Sequence, residues 1–313
     1  MKRMLVPLLI CPACLPKEHS LQLTPNRETN GDVLSGLLSC RNCHRDYPIK
    51  DGVAILLRDP GGGSHAGQWR YEEDDTLNRY LWSHFGDLWG APEAGDAYRQ
   101  WADCLPPTAA SGLDVGCAVG RLTFEMAARF DLAIGCDLSS TFIRTARKLA
   151  TERRITCTLP LEGKLLETFT GHFPTEWQTA NVEFIVADAQ ALPLARSSFG
   201  SVATLNLLDR VHYPLAHLYE INRVAAHSGA NLLCADPFSW STATTPEENW
   251  LGGTTSGPYR GRGIDNVRNL LEGKGGIIAP PWQIVRHCTV DWRLRTHSAH
   301  HETMRSQTLS ARR

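Results

Sequence analysis

A glycine turn between two short apolar runs is the feature that most constrains how this chain of 313 residues can fold. The first run (113–115) leads into Gly116 and Gly120, which open a stretch (121–129) whose apolar spacing suits a helix. The second run (132–134) stops at Asp137. This order of strand, glycine turn, helix, strand and acid predicts the first βαβ unit of a doubly wound α/β sheet that binds a nucleoside-containing ligand.

The residue types in this turn have a chemical reason. At Gly116 and Gly120 the backbone can pass close to a ligand where any Cβ would collide, and the following helix offers unpaired N–H groups. Asp137, which lies 21 residues after Gly116, can accept hydrogen bonds from two ribose hydroxyls. Ala118 stands where a dinucleotide-binding turn has its middle glycine. A plain strand-to-helix turn without a ligand is the alternative interpretation.

The form D-x-G-C-x-x-G, with an acid about 20 residues later, resembles motif I of class I S-adenosylmethionine (SAM) methyltransferases. The resemblance implies SAM as cofactor and a seven-stranded, doubly wound, Rossmann-like α/β sheet. The residues that it implies for cofactor binding are Asp114, Gly116, Cys117, Ala118, Gly120, Asp137, Leu138, Asp188, Ala189 and Asn206.

Later segments supply the remaining strands in the expected order. Apolar runs predict strands at 182–187, 201–206 and 230–236, and a helix is predicted over 142–153. Residues 158–180 interrupt this order before the third strand. Polar residues follow the strands, including Asp188 after the third and Asn206 at the end of the fourth. The carboxyl ends of such strands form the ligand crevice of open α/β sheets.

Two CxxC pairs, Cys11/Cys14 and Cys40/Cys43, are separated by 25 residues near the start of the chain. Four thiolates at this spacing predict a closed structural zinc site. His44 is an alternative ligand to Cys43, and unmetallated surface thiols are the other interpretation. The segment from LLICPAC to YPIKDGVAILL resembles the zinc ribbon of the tRNA-methyltransferase activator subunit and the zinc module of ribosomal RNA guanine methyltransferases.

Composition predicts the boundaries between these parts. We expect a zinc-ribbon-like domain at 1–58, a flexible glycine-rich linker at 59–67, and a methyltransferase domain at 68–313. The aromatic stretch 71–89 is expected to be helical until Gly86. Trp82 and Phe85 favour packing on the sheet, whereas Tyr80 and His84 are open to a second role as a lid over the substrate.

A closer resemblance, over about residues 70–313, is to the carboxyl-terminal methyltransferase domain of ovothiol biosynthesis proteins. The stretches that carry it are DVGCAVGRLTFEMA, LEGKL, VEFIVADAQALP, LNLLDRV, DPFSWSTATTPEENWLGG and WRLRTHSAHHETMRSQTLSARR. It implies N-methylation of the imidazole of a mercaptohistidine. The chain departs from the family pattern in its preceding zinc ribbon, in Asp236 replacing a small polar residue, and in a tail that lacks the family's aromatic residues.

Side chains at the strand ends and in the aromatic helix are the candidates for the acceptor pocket. The candidate catalytic residues are Tyr80, His84, Asn206, Asp209 and Arg210, and Trp240 and Trp250 are candidate pocket walls. Arg210 is equally open to a structural bridge with Asp209. Glu247, Glu248 and His297 are weaker candidates, and His212 and His217 share no helix face that would hold a metal.

Charge and hydropathy make nucleic acid a less favoured partner and predict no membrane association. The formal net charge of −1 provides no basic field for nucleic acid or for an acidic membrane, so a small-molecule substrate is favoured. No apolar run approaches the roughly 20 residues of a membrane span. Ten cysteines without a disulfide framework and no expected leader favour a cytoplasmic protein. An RNA methyltransferase and a non-catalytic adaptor stay as alternatives, and the sequence leaves the oligomeric state open.

Overall fold

The computed structural model describes residues 1–58 and 68–313, so the expected linker at 59–67 lies outside the described residues. The helices of the described chain are α1 (Asp74–Phe85), α2 (Ala97–Ala102), α3 (Arg121–Ala127), α4 (Ser140–Glu152), α5 (Pro214–Val224) and α6 (Gly263–Leu271). Its strands are β1 (Leu21–Thr29), β2 (Asp32–Cys40), β3 (Asp46–Lys50), β4 (Val53–Leu56), β5 (Ala109–Val115), β6 (Phe130–Asp137), β7 (Arg154–Glu162), β8 (Leu165–His172), β9 (Val182–Ala187), β10 (Ser201–Leu205), β11 (Asn231–Asp236), β12 (Gln283–His297) and β13 (His300–Arg312).

Eleven of these strands form one sheet in the described chain, in the order β1-β2-β3-β4-β9-β6-β5-β10-β11-β13-β12. The strands from β4 to β11 in this order are parallel, and β13 is antiparallel to both of its neighbours. The chain moves outward from β5 through β6 to β9 and then returns to place β10 beside β5. This reversal creates the switch point at which open α/β sheets bind ligands.

The observed sheet is larger than the seven-stranded sheet that the sequence predicts. Seven of its strands come from residues 109–312, and the N-terminal segment adds four more. β4 is antiparallel to β3 and parallel to β9, with Leu56 opposite Ala187. The N-terminal segment is therefore an extension of the central sheet and does not form a sheet of its own.

The predicted strands and the glycine turn are confirmed with small shifts at their ends. The expected helices begin at Asp74, Arg121 and Ser140 and are one to three residues shorter or longer than expected. The interruption at 158–180 contains secondary structure that the sequence analysis does not predict. Most of it belongs to the antiparallel hairpin β7–β8, which pairs with itself as a separate two-stranded sheet.

One hydrophobic core crosses the junction between the N-terminal segment and the rest of the sheet. Leu9 and Tyr47 are buried in the same cluster as Ile185 and Leu194. Backbone bonds reinforce this packing, since Ile10 N donates to the carbonyl of Pro193 at 3.0 Å. No described helix is long and apolar enough to cross a membrane.

A buried ion cluster joins the two parts at the same junction. Arg147 of α4 donates to Asp32 of β2 and, at 3.0 Å, to Glu183 of β9. The Glu183 side chain is only 2% exposed. An unpaired carboxylate at that depth would be strongly destabilising, so Arg147 holds the junction by neutralising two acids at once.

Arg147→Met is expected to lower the free energy of unfolding by about 3 kcal/mol, because it removes the guanidinium that pairs directly with the buried Glu183 carboxylate. Urea denaturation measures this change. Lys148→Met on the same helix is the matched control, since the Lys148 side chain is 68% exposed, and the expected change there is within about 0.5 kcal/mol. Equal losses in the two variants would contradict a special role for the ion cluster.

Candidate functional site

The glycine turn after β5 has the conformation that its residues predict. Gly116 and Gly120 have φ of +76° and +85°, and Ala118 also has a positive φ of +46°. The N–H groups of Gly116 and Cys117 both donate to the carbonyl of Cys136 on β6. A Cβ on Gly116 would lie 2.7 Å from the side chain of Leu207. Both this lack of space and the positive φ therefore exclude a larger residue at this position.

Asp137 at the end of β6 closes the turn. Its two carboxylate oxygens accept bonds from the backbone N–H of Ala118, at 3.0 Å, and of Ser139, at 2.8 Å. A carboxylate has about four acceptor positions, so Asp137 keeps capacity for further donors. Burial raises the pKa of Asp137 to about 6, although these hydrogen bonds act in the opposite direction and lower it. The nearby carboxylate of Glu72 adds to the rise.

Asp114 and Cys117 are buried behind the turn. The Asp114 side chain accepts a bond from the Thr123 hydroxyl of α3 at 2.8 Å, and burial raises its pKa to about 7. Cys117 is 3% exposed, and its thiol is directed to the carbonyl of Ala118. These two residues join the turn to its helix, a position that the sequence did not distinguish from ligand contact.

The third strand ends in a second turn. Asp188 accepts bonds from the N–H of Gln190 at 2.9 Å and from its side-chain amide at 3.0 Å. Next to it, the carbonyl of Ala189 lies 3.1 Å from Nδ1 of His217, whose Nε2 lies 3.0 Å from the Thr204 hydroxyl. Burial lowers the pKa of His217 to about 4, so the imidazole is neutral and anchors this turn.

Sequence reasoning missed two supporting residues here. His217 was considered only as a metal ligand, and its actual partner is a backbone carbonyl that no side-chain pattern reveals. Glu72 caps the amino end of α4 by accepting bonds from the N–H groups of Ser140 and Thr141, both at 3.1 Å. The acidic run around Glu72 was the only available signal, and it did not indicate a partner.

Asn206, Asp209 and Arg210 follow β10 and lie at the predicted edge of the sheet. Asn206 has a φ of +53°, and its side-chain carbonyl accepts a bond from the Ser306 hydroxyl of β13 at 2.5 Å. Asp209 is fully buried and accepts two bonds from Ser239, at 2.7 and 2.8 Å. The Asp209 carboxylate also lies 3.2 Å from Nε of Arg210, so the predicted structural bridge is present.

A second buried carboxyl group lies under this pair. Asp236 at the end of β11 accepts a bond from the N–H of Asp209 at 3.2 Å and one from Phe238 at 2.7 Å. Burial raises the pKa of Asp236 well above its usual range, and the negative charge of Asp209 adds to the rise. Asp236 therefore favours its protonated form, and the Asp209 carboxylate lies against Arg210.

Tyr80 and His84 of α1 have different surroundings. The Tyr80 ring packs 4.9 Å from Phe142, and its hydroxyl is within the electrostatic influence of Asp137 and Arg210. His84 is 3% exposed, and its Nε2 lies 2.6 Å from the Tyr98 hydroxyl. Burial lowers the pKa of His84 well below its usual value, so its imidazole is neutral. The structure places Tyr80 toward the crevice and His84 in the core.

The segment after β11 covers the carboxyl edge near Asp209. Thr245 donates to the carbonyls of Asp209 and Val211, and Trp250 donates to the carbonyl of Thr245 at 2.8 Å. The rings of Trp240 and Trp250 are stacked with centroids 6.1 Å apart. The weaker candidates lie elsewhere: Glu247 and Glu248 are exposed, and His297 accepts a bond within its own hairpin turn.

The four predicted metal ligands, Cys11, Cys14, Cys40 and Cys43, converge. Their sulfur atoms lie within 4.8 Å of one another, with 3.5 Å between Cys11 and Cys43 and 3.8 Å between Cys14 and Cys40. Tetrahedral zinc with Zn–S bonds of about 2.3 Å requires sulfur separations of about 3.8 Å. The cluster fits zinc without His44, which is exposed. The buried Tyr47 hydroxyl lies 3.1 Å from the Cys11 sulfur.

Two comparisons with families agree with this geometry. Residues 113–233 match a family described as "Methyltransferase domain", and residues 2–52 match one described as "Trm112p-like protein". No curated protein matches the sequence. The first match contains the glycine turn, Asp137, Asp188 and Asn206.

Distant likenesses to solved structures also exist. A SAM-dependent methyltransferase from Methanosarcina mazei is 19% identical, over 69% of this chain and 98% of that chain, with a TM-score of 0.44. The YcgJ protein from Bacillus subtilis is 10% identical, over 69% and 98%, with a TM-score of 0.46. A SAM-dependent methyltransferase from Aquifex aeolicus is 14% identical, over 76% and 97%, with a TM-score of 0.44. Scores this low add nothing to the argument.

The family match and the α/β sheet together confirm the predicted enzyme class. The chain is a SAM-dependent methyltransferase, and it carries a Trm112-like module with a four-cysteine cluster at its amino end.

Tyr47→Phe is expected to weaken zinc binding by about tenfold or more, because it removes the hydroxyl that lies against the Cys11 sulfur. Competition with a chromophoric chelator measures the zinc affinity directly. Tyr219→Phe, at an exposed tyrosine distant in sequence from the cysteines, is the matched control. Unchanged zinc affinity in Tyr47→Phe would show that the Tyr47 hydroxyl does not support the metal.

Proposed function

We propose that this enzyme transfers the methyl group of SAM to a small polar acceptor, an imidazole, thiol or amine metabolite such as a mercaptohistidine. The observation that carries the proposal is the hydrogen-bonded group of Asp209, Arg210 and Ser239 under the segment that stacks Trp240 on Trp250. Such a crevice offers one cation, held by a buried carboxylate, and flat aromatic surface, which suits a compact acceptor with polar groups.

The cofactor is assigned to the edge that the glycine turn forms. In this proposal the Asp137 carboxylate accepts bonds from the ribose hydroxyls, and the Asp188–Ala189 turn faces the adenine. Gly116 and Gly120 keep the backbone free of Cβ atoms there. Leu138 and Asn206 flank the same edge, and Asp114 and Cys117 support it from behind.

The protein's own residues would orient the acceptor and exclude water. Bound SAM supplies a methyl group that is already activated by its sulfonium, so alignment is the main task that is left to the enzyme. Arg210 is the half-exposed cation of the crevice, and the fully buried Asp209 carboxylate holds its guanidinium in place. Asn206 adds an amide group at the same edge. Burial keeps the Tyr80 hydroxyl protonated by raising its pKa, so Tyr80 acts as a hydrogen-bond donor and as a wall.

A second candidate function is methylation of ribosomal or transfer RNA. The Trm112p-like match at residues 2–52 favours it. The net charge of −1 does not, because proteins that bind nucleic acid derive most of their affinity from basic side chains. We therefore place the small-molecule acceptor first.

Binding of SAM is expected to weaken by about tenfold between pH 7 and pH 5, because protonation of Asp137, with its pKa of about 6, removes the acceptor for the ribose. Calorimetric titration across this range measures the affinity. Asp137→Asn is expected to bind SAM more weakly at every pH and to lose this dependence. A dependence that persists in Asp137→Asn would instead belong to another group, and Asp114, with its pKa of about 7, is the first candidate.

Methyl transfer itself distinguishes the two acceptor classes. Protein that binds SAM is expected to label mercaptohistidine from methyl-labelled SAM and to leave total tRNA and rRNA unlabelled, with Gly116→Arg as the inactive control. Arg210→Met is expected to lower kcat/KM for the acceptor by about tenfold to a hundredfold at unchanged SAM affinity. Arg260→Met, at an exposed arginine, is the matched control. Labelled RNA with an unlabelled small molecule would reverse our order of the two functions.

A further inference from the structure

A cavity of about 350 Å³ lies away from the crevice described above. It is enclosed by the segment after α1, by strand β8 and by the end of the β12–β13 hairpin. Its volume is near the lower end of the roughly 300–1,000 Å³ typical of small-molecule sites. None of the residues assigned above to the cofactor or to the acceptor lines it. We call this cavity the aromatic slot.

The walls of the aromatic slot form a preorganised stack. The rings of Trp89 and Phe169 lie nearly parallel, at 19°, with centroids 5.8 Å apart. Phe169 also contacts Arg295, whose guanidinium carbon lies 5.2 Å from the centroid of the Phe169 ring. Trp89 is fixed from behind, because a Cβ on Gly171 would come within 2.9 Å of its ring. A flat ligand would meet rigid flat surfaces here, which lowers the entropy lost on binding.

Arg295 is the main polar group of the slot. Its side chain is only 9% exposed, and one of its terminal nitrogens donates to Glu167 at 2.7 Å. Its Nε is buried and finds no acceptor anywhere in residues 1–58 and 68–313. The indole N–H of Trp89 is also buried without an acceptor in that part of the chain. Buried donors of this kind are costly, and the Arg295 guanidinium also has terminal N–H groups beyond the one that donates to Glu167, which are the groups that a ligand in the slot would meet.

The charges around the slot select the ligand further. Arg295 would repel a simple cation, whereas Glu93 and Glu167, which also line the slot, would repel a simple anion. His301 completes the lining, and burial lowers its pKa, with the positive charge of Arg295 adding to the fall. A molecule with one carboxylate and one ammonium group meets both requirements.

We propose that the aromatic slot binds a small zwitterion with a planar ring, an α-amino acid with an aromatic or heteroaromatic side chain. Its ring packs against Trp89, its carboxylate pairs with Arg295, and its ammonium group pairs with Glu93. This site does not rest on the proposed methyl transfer, because its lining residues and its ligand contacts are separate from the cofactor turn.

Calorimetry with a matched set of probes tests the proposal. L-Phenylalanine and L-histidine are compared with phenylacetate, which lacks the ammonium group, and with phenethylamine, which lacks the carboxylate. At least one of the two amino acids is expected to bind about tenfold or more tightly than either truncated probe. If neither amino acid binds at millimolar concentration, or if the truncated probes bind equally well, the proposal is overturned.

Two variants separate the two charge contacts. Arg295→Met keeps a long apolar stem against Phe169 and is expected to weaken the amino acid and phenylacetate by about tenfold, without affecting phenethylamine. Glu93→Gln changes an exposed side chain, so the fold is preserved even if Arg295→Met is unstable, and it should weaken the amino acid and phenethylamine alone.

A third variant and a second ligand provide the controls. Arg305→Met, on the neighbouring strand and 72% exposed, should leave all probe affinities unchanged. Unaltered SAM binding in each variant verifies the fold and separates failure of the slot from failure of the proposed function. Amino acid binding that neither Arg295→Met nor Glu93→Gln changes would place the ligand elsewhere and overturn the assignment.

Discussion

The parallel pairing of β4 with β9 is the interaction on which the rest of the structure depends. It joins an antiparallel four-stranded module to a parallel sheet, and the next residue after β9 is Asp188, at the carboxyl edge of that sheet. An unpaired edge strand at β9 would expose a row of backbone donors and acceptors, and β4 satisfies them. Because Ile10 and Leu8 also bond to the backbone at Pro193 and Ala195, the Asp188 turn is held from both ends by the N-terminal module.

Two buried carboxylates of this fold each lie against an arginine side chain that is closer to the surface. Glu183 and Arg147 at the junction, and Asp209 and Arg210 at the crevice, place a carboxylate deep in the fold and a cation nearer the surface. Asp236 has no cation of its own, so burial drives it toward the neutral acid. Asp209 and Asp236 thus belong to a single hydrogen-bonded cluster, which fixes the backbone that follows β10 and β11.

The sequence predicted those parts of the fold whose signals are local. The runs around 113–115, 132–134 and 182–187 specify buried strands, and Gly116, Gly120 and Asp137 specify the turn between two of them. The β7–β8 hairpin escaped prediction because its second strand is mostly exposed and has no apolar alternation. The pairing of β4 with β9 escaped it because a choice of partner across more than a hundred residues leaves no local mark.

The same distinction applies to the site. Strand-end polar residues such as Asp188 and Asn206 were predictable, because the fold class dictates where they lie. The role of His217 was not predictable, because its Nδ1 lies at hydrogen-bond distance from the backbone carbonyl of residue 189. This contact does not depend on the side chain at position 189. For His84 the sequence left packing and a lid role as equal alternatives, and its contact with Tyr98 could not be foreseen, since the orientation of α1 on the sheet decides it.

The glycine turn after β5 and the aromatic slot both contact the end of α1 and the turn that follows it. Arg121 begins α3 directly after Gly120, is 1% exposed, and donates to Asp87 at 2.6 and 3.1 Å and to the carbonyl of His84 at 2.8 Å. Trp89, a wall of the slot, lies two residues after Asp87. A buried guanidinium held by several acceptors tolerates little displacement. The position of Trp89 is therefore set by the same contacts that set the first turn of α3, and with it the backbone at Gly120.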